Sequence, residues 1–570
     1  MLIPNDAPDV IRQAIRACRP HYIAAAVLSA LGNLLYLTPT LFMLQVYDRV
    51  VPTGGLATLA LLAGIALLAY ATLGAFEWLR GRLLVKASVT LDRSLAEPIL
   101  TSVMSRESLT RVERAEAMRE LDLFRQVMAG PILTIVFDAP WTPIYVIAAF
   151  LVNPWLGVLT LVAGAILVGL ALSNERLTHA PLEAANDAAS ASYSRQSALI
   201  SHSAQVRALG MRRALTSRLL EDRTTSTRLQ LRASFAGGGH TTLIKIVRLV
   251  LQSTSLGLGA WLAIDQKISA GAIMATSLLM SRALSPIELL TQSWKTVIRA
   301  RGAFAHLCAV LNTPAQPPLT ILPRPQGRID LEDVCVLAPN SDRVAIAGVS
   351  LSIQAGEVIG IAGLSGAGKS TLLAAMAGAF PLLRGSIRID GAKLETWDAE
   401  RMADHVGYLP QDFVLFPGTV KENIARFSPD LVRAPEEIDA RVVAVAQAVG
   451  AHEMIARLPM GYDTPVGHAG LGLSAGQGQR IALARALYGD PAILLLDEPS
   501  AHLDSEGQVA LLTLLDRLRD RGVTVILTAH HGDLLAATDK VMLLAQGRVA
   551  RFEPLMRAQE KVHRLEEKRA

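Results

Sequence analysis

Six stretches of the chain, near residues 23 to 46, 56 to 79, 132 to 152, 155 to 173, 242 to 264 and 270 to 293, are long and apolar enough to cross a bilayer. Crossing takes about 20 helical residues. Lipid offers no partner for backbone N–H and C=O groups, so each stretch must satisfy them internally as an α-helix. A buried helix of a soluble protein can imitate one such stretch. Six of them with a regular alternation of charge between them cannot be read that way. The connections Tyr47 to Gly55, Asn153 to Pro154 and Asp265 to Ser269 are short, whereas 80 to 131 and 174 to 241 are long and rich in arginine. Arg80, Arg82, Lys86, Arg93 and Arg106 mark the first long connection, and Arg195, Arg207, Arg212, Arg213 and Arg218 the second. The positive-inside rule then puts both long connections and both termini in the cytoplasm.

The long connections lack Pro/Gly-rich disorder and show helical spacing, so they read as extensions of the membrane helices, able to touch whatever hydrolyses nucleotide. Arg282 lies inside the sixth span, where an unpaired charge costs a few kcal/mol. It should face the bundle interior or a wet path, or be paired or snorkelling.

The 570 residues exceed one ordinary core, and 51% apolar residues with a mean hydropathy of +0.35 fit a membrane protein. A net charge of +5 would also suit a nucleic-acid binder. Arginines flanking hydrophobic spans explain it more simply, through anionic lipid, so no nucleic-acid partner is expected. Cys18, Cys308 and Cys335 are far apart and fit neither a disulfide framework nor a metal site. The first apolar run is longer than a signal-peptide core and lacks a cleavage motif, so the N-terminus is expected to stay attached.

The proline-rich segment between Leu311 and Gly327 reads as a linker. The expected organisation is a membrane domain over 1–311, a linker over 312–327, an α/β domain over 328–555 and a charged tail over 556–570. Within the α/β domain, Gly363, Leu364, Ser365, Gly366, Ala367, Gly368, Lys369, Ser370 and Thr371 follow the strand-like run Val358 to Ala362 and precede a helical run. They fit G-x-x-x-x-G-K-[ST]. Backbone N–H groups there wrap phosphate oxygens, the lysine reaches the outer phosphates and the hydroxyl meets Mg²⁺. Ala492 to Leu496 is a second buried-strand run, ending in Asp497 and Glu498. Asp497 takes the metal role and Glu498 the role of base toward an attacking water. Ser474, Ala475, Gly476 and Gln477 open a helical stretch and offer a second phosphate-binding end, although an ordinary N-cap looks the same. Gln411 and His530 follow strand-like runs, where each is either a polar residue satisfied at a strand end or one that reaches the γ-phosphate or its water.

Taken together, GLSGAGKST, LPQD, LSAGQ, ILLLDEP and TAH in this order resemble the ATPase domain of ABC transporters. Six spans followed by one such domain look like an exporter half-transporter, a membrane domain of six helices ahead of an α/β P-loop ATPase domain. Further segments, MLQVYDRVVPTGG at 43 to 55, FDAPWTPIYV at 137 to 146, AQVRALGM at 204 to 211 and SRALSPIELL at 281 to 290, are similar to type I secretion permease/ATPases. The likeness is to the branch exporting proteases, lipases and RTX-type proteins.

That resemblance implies a homodimer in the bacterial inner membrane, with each ATP held between the phosphate loop of one subunit and the Ser474 segment of the other. Lys369 would bind phosphate, Ser370 and Asp497 would serve Mg²⁺, Gln411 would sense metal and water, Glu498 would activate water and His530 would hold the γ-phosphate. It implies a secreted protein cargo with an uncleaved C-terminal signal, a periplasmic membrane fusion protein and a TolC-like outer-membrane channel. About 22 residues precede the first span, too few for the leader peptidase that related exporters carry. An exporter of lipid, drug or short peptide is the alternative, and a nontransporting ATP-driven scaffold a third. Several positions depart from the family pattern. Ala338 stands near the usual adenine-stacking aromatic, Ala475 replaces a glycine, Gly478 an arginine and His468 a glutamate. His502 reads as a hydrogen-bonding residue.

Overall fold

The computed structural model describes residues 7–105, 111–312, 322–338, 341, 343–427, 435–467, 472–529 and 532–554. The chain divides into two compact units, Met1–Pro314 and Ala315–Ala570.

Among the described residues the first unit is helical, and six of its helical stretches are long and apolar enough to cross a membrane. Leu56–Ser105, Pro154–Ser201 and Arg212–Ile264 run 50, 48 and 53 residues. At 1.5 Å per residue each is roughly 70 to 80 Å long, more than twice the hydrocarbon thickness. The first span is interrupted, since Asp9–Leu35 gives way to Thr38–Gln45 and then to a π-helical turn, Val46–Val50. That turn aims Asp48 at the start of the sixth span. Asp48 Oδ1 accepts from Gly271 N–H at 2.8 Å and Oδ2 from the Ser269 hydroxyl at 2.5 Å, while Ser269 itself caps Ala270–Gln292.

Charges within the spans are neutralised locally. Arg80 lies 3.5 Å from Asp138 and donates to Ser29 Oγ, Asn33 donates to Asp138 at 2.7 Å, and the Tyr145 hydroxyl donates to Asn33 O. Arg282 is half-buried, with its guanidinium 3.7 Å over the Tyr36 ring, and the Tyr36 hydroxyl donates to Glu77. Arg248 pairs with Glu288 and donates to Ser281.

The second unit is α/β. Strands β1 (Ile329–Leu337), β2 (Val344–Ile353), β3 (Val358–Ala362), β4 (Arg384–Ile389) and β5 (Ala392–Lys393) are followed by β6 (Val406–Leu409), β7 (Gly418–Thr419) and β8 (Pro465–Val466). Then come β9 (Ile493–Leu496), β10 (Thr524–Thr528), β11 (Lys540–Ala545) and β12 (Arg548–Pro554). One sheet has the order β12-β11-β3-β10-β9-β6, parallel from β11 to β6, and an antiparallel sheet has the order β2-β1-β4-β5. Both faces of the parallel sheet are covered, which is why its strands read as continuous apolar runs. Alternate residues serve two cores: Val358, Leu494, Leu496, Val525 and Leu527 face one, and Ile359, Ile361, Ile493, Leu495 and Ile526 the other. Each such fully buried side chain stabilises by about 1.5–3 kcal/mol.

Residues 322–327, the described end of the expected linker, are held against this unit. Asp390 accepts from the backbone N–H groups of Gln326 and Arg328, and Leu322 packs on the core.

Candidate functional site

The parallel strands end on one edge of the sheet, the place where open α/β sheets bind ligands. The loop after β3, Gln411 beyond β6, Asp497 and Glu498 after β9 and Thr528 at the end of β10 all belong to that edge.

The phosphate loop runs from Gly363 to Gly368 and feeds directly into the helix Lys369–Met376. Gly368 sits at φ +102°, where a Cβ would come within 2.7 Å of Ile346 Cδ1 and 2.8 Å of Ala345 O, so only glycine fits. Ala367 O accepts from Gly547 N–H, and Gly547 O in turn accepts from Ala347, so the β11–β12 turn braces the loop from outside. Lys369 is 6% exposed, and its ammonium donates to Gly363 O at 2.9 Å and Leu364 O at 3.2 Å. It is thus folded over the same loop whose N–H groups would hold an anion. Ser365, Gly366, Ala367, Ser370 and Thr371 complete the loop and the first turn, and Leu364 is exposed. The Ser370 hydroxyl lies 3.5 Å from Gln411 Oε1, joining the loop to the residue beyond β6.

Asp497 is 2% exposed, and its Oδ1 accepts from the Thr528 hydroxyl at 2.7 Å. The same hydroxyl oxygen accepts from Glu498 N–H at 2.8 Å. One buried threonine therefore orients the Asp497 carboxylate and anchors the backbone of the next residue. Glu498 has φ +49°, a left-handed conformation uncommon for a side chain of its size. Gln479 pins the turn that follows: its Nε2 donates to Glu498 O and Pro499 O, and its Oε1 accepts from His502 N–H. The expectation for His502 was a hydrogen-bonding role, and it is the backbone of this residue that makes the bond.

Ser474 is the N-cap of Ala475–Leu487, in a reciprocal capping box with Gln477. Gly476 and Ala475 form the first turn. Among the described residues no hydrogen bond joins Ser474, Ala475, Gly476 or Gln477 to the phosphate loop. Behind this turn a Cβ on Gly478 would meet Phe413 Cε2 at 2.9 Å, so the aromatic ring occupies the room that a longer side chain would need. Phe413 also meets His502 edge-on at 6.3 Å, and Arg485 of the same helix donates to Val414 O. The segment after Gln411 is thereby fastened to the Ser474 helix. Asn423, fully buried, closes the other end of that segment through Phe416 and Thr419. Half-buried Arg426, whose pKa desolvation lowers, donates to Ala403, Arg485 and Ala486 carbonyls.

His530, His468 and the tail 556–570 lie outside the described residues. Ala338 and its neighbours carry no aromatic ring: none occurs from Arg328 to Glu357.

Sequence reading missed two residues. Thr528 was passed over as part of a strand, although a hydroxyl closing an apolar strand beside an acidic strand end was the available signal. Gln479 follows the Ser474 segment in the same helical stretch, and nothing in its sequence neighbourhood marks its tie to residues 498–502.

The residues match known families in both units. Residues 22–286 match the family described as ABC transporter transmembrane region and residues 346–501 the one described as ABC transporter. The chain is 40% identical over 546 residues, 95% of its length and 92% of the relative's, to the type I secretion system ATP-binding protein PrsD of Rhizobium meliloti (strain 1021). It is 29% identical over 94% of its length to the toxin RTX-I translocation ATP-binding protein of Actinobacillus pleuropneumoniae, covering 76% of that protein. It is 28% identical, with the same coverages, to the leukotoxin export ATP-binding protein LtxB of Aggregatibacter actinomycetemcomitans. Among solved structures, a bacterial Atm1-family ABC exporter with ATP bound superposes with a TM-score of 0.80 at 23% identity over 96% of each chain, a likeness of fold.

Proposed function

The chain belongs to the ABC transporter family, coupling ATP hydrolysis to transport, and on that premise we propose that it is the inner-membrane ATPase of a type I secretion system. It works as a homodimer and moves unfolded polypeptides bearing an uncleaved C-terminal signal. The single observation that carries this reading is the 40% identity to a type I secretion protein, which continues through the membrane unit as well as the ATPase. Nucleotide-binding motifs are shared by transporters of every cargo; the spans are not. The named relatives that translocate RTX toxin and leukotoxin point to the same cargo class.

The chemistry follows from the strand-end residues. The loop Gly363–Gly368 and Lys369 bind and orient the triphosphate, and the positive helix end favours it. Ser370 and Asp497, with Gln411 beside them, would hold Mg²⁺, which supplies neutralisation of phosphate charge; an acidic group, a hydroxyl and an amide are the oxygen donors that ion accepts. Thr528 fixes the Asp497 carboxylate in one orientation. Glu498, braced by Thr528 and Gln479 at its backbone, takes the proton of the attacking water. His530 contacts the γ-phosphate. Ser474 and Gly476 meet the phosphates bound by the partner subunit, which accords with their lack of hydrogen bonds to their own loop. Both termini and the long helical connections lie in the cytoplasm, and a periplasmic fusion protein with a TolC-like channel completes the conduit.

The test is ATP turnover by purified protein in lipid, measured with the C-terminal segment of a secreted RTX-type protein, with lipids and with drugs. Stimulation by the protein segment alone is expected; stimulation only by lipids or drugs rejects protein cargo.

A further inference from the structure

The membrane unit carries a half-open cavity of about 350 Å³ among its last three spans. Its walls come from Pro154–Ser201, Arg212–Ile264 and the junction of Ala270–Gln292 with Trp294–Leu311. On every wall the lining begins where apolar span passes into polar extension, and on two of them it continues into the extension as far as Leu182 and Ala233. Asn174 and Thr178 follow the fourth span, Lys245 stands at the start of the fifth, and Trp294 and Lys295 follow the sixth. The cavity thus reaches the level where lipid headgroups meet hydrocarbon.

Its chemistry is selective. Lys245 and Lys295 bring two cations, and among the described residues no acidic side chain lines it. Lys295 Nζ lies 3.4 Å from Ser234 Oγ, another lining residue. Asn174 is 4% exposed, yet its Oδ1 has no hydrogen-bond partner, and Trp294 Nε1 is also buried without one. Buried polar atoms of native proteins are almost always satisfied, because leaving one unpaired carries its full desolvation cost. Here the two residues that carry an orphaned acceptor and an orphaned donor line the same cationic cavity. Once a side-chain rotation turns each atom toward the cavity, a single bound group resolves both if it presents an anion that accepts from the indole and a hydroxyl that donates to the amide.

We propose that this cavity binds a glycerol phosphate group, presented as the headgroup of an anionic phospholipid in the adjoining leaflet. The phosphate takes Lys245, Lys295 and the Trp294 N–H, and a glycerol hydroxyl donates to Asn174 Oδ1. A choline or ethanolamine headgroup is disfavoured, since it would set its own cation beside two lysines. Trp294 packs with Leu182, Ala233 and Ile298, giving the site an apolar wall. The inference is independent of which cargo is moved.

The test uses the full-length protein in phosphatidylcholine nanodiscs doped with phosphatidylglycerol, with retained lipid counted by native mass spectrometry. Phosphatidylglycerol should be kept in preference to phosphatidylcholine. Lys245→Gln with Lys295→Gln should lower that preference by about tenfold, as two near-surface charges are lost. Trp294→Phe, which keeps the ring and loses the donor, should lower it by less. If the double variant does not fold, by size exclusion, Trp294→Phe carries the test. Lys86→Gln, outside the cavity, should change nothing; an equal loss there means bulk charge and overturns the site. A soluble arm adds glycerol 3-phosphate to protein in pure phosphatidylcholine, and saturable binding that needs the two lysines overturns the lipid as source. Equal retention of phosphatidylglycerol by wild type and by the folded variants overturns the proposal.

Discussion

Asp497 and Asp138 are two aspartates withdrawn from water in different solvents, and they are handled in opposite ways. Asp497 ends an apolar strand, with 2% exposure, and its carboxylate accepts from a neutral hydroxyl, that of Thr528. Asp138 sits among membrane helices beside the Arg80 guanidinium and the Asn33 amide. In the ATPase unit a carboxylate is oriented by a neutral group and, on the proposed reading, would take its counter-ion from solution. In the membrane unit the charge is answered within the protein, because lipid answers nothing. The same contrast holds for apolar side chains. Val525 and Leu527 are fully buried between layers, whereas Leu61, Leu67 and Leu68 are 66 to 71% exposed on a helix whose apolar face lipid covers.

The comparison can be broken most sharply at Glu498. Glu498→Gln should lower phosphate release by roughly 10²-fold or more while nucleotide binding persists. Unchanged release would mean that the strand end has been misread and that ATP serves as a switch. In the membrane, Asp138→Asn should cost about 2–3 kcal/mol, since Arg80 loses its countercharge in a low-dielectric setting. Thermal unfolding in detergent reads this, and adding Arg80→Gln should restore part of the loss; no recovery would show that Asp138 does more than neutralise.

Thr528→Val keeps the shape and removes the hydroxyl, at about 1–3 kcal/mol for a buried group left unpaired. It should depress kcat more than KM, because it disorients Asp497 and Glu498 without touching the phosphate loop. A smaller effect is expected at Asp504, the N-cap of Ser505–Asp520. The Gly507 N–H, then the Arg480 guanidinium, hold its carboxyl below the usual range. A depressed acid stabilises above its unfolded pKa of about 3.9 and loses that share as pH falls through the folded value. Hydrogen exchange in the first turn of this helix should therefore accelerate only in acid below about pH 4, and a change near neutrality would assign the cap elsewhere. The smallest difference concerns the base. With no aromatic ring from Arg328 to Glu357, GTP should support turnover comparable to ATP, and strict ATP preference would reject that.

Much of this was legible before any coordinates. A span must be apolar for some twenty residues, and a phosphate loop must place glycines and a lysine at set intervals, so both are local patterns. The breaks were not legible. The π-turn at Val46–Val50 leaves the apolar run intact and is visible only through what it accomplishes, the capping of the sixth span by Asp48. Arg282 illustrates the limit: its sequence demanded a partner but could not tell a wet path from the face of Tyr36.

By itself, then, the sequence determined which segments enter lipid, where phosphate is gripped, and that two unlike units follow one another, because each depends on residues close along the chain. Only the tertiary structure decided that Thr528 serves Asp497 and Glu498 together, that Gln479 holds the turn beyond them, that Phe413 fills the room beside Gly478, and that Asn174 and Trp294 meet at one cavity. Those pairings join residues tens to more than a hundred positions apart. Packing, not periodicity, selects them, since the same local pattern is compatible with many partners until the layers close.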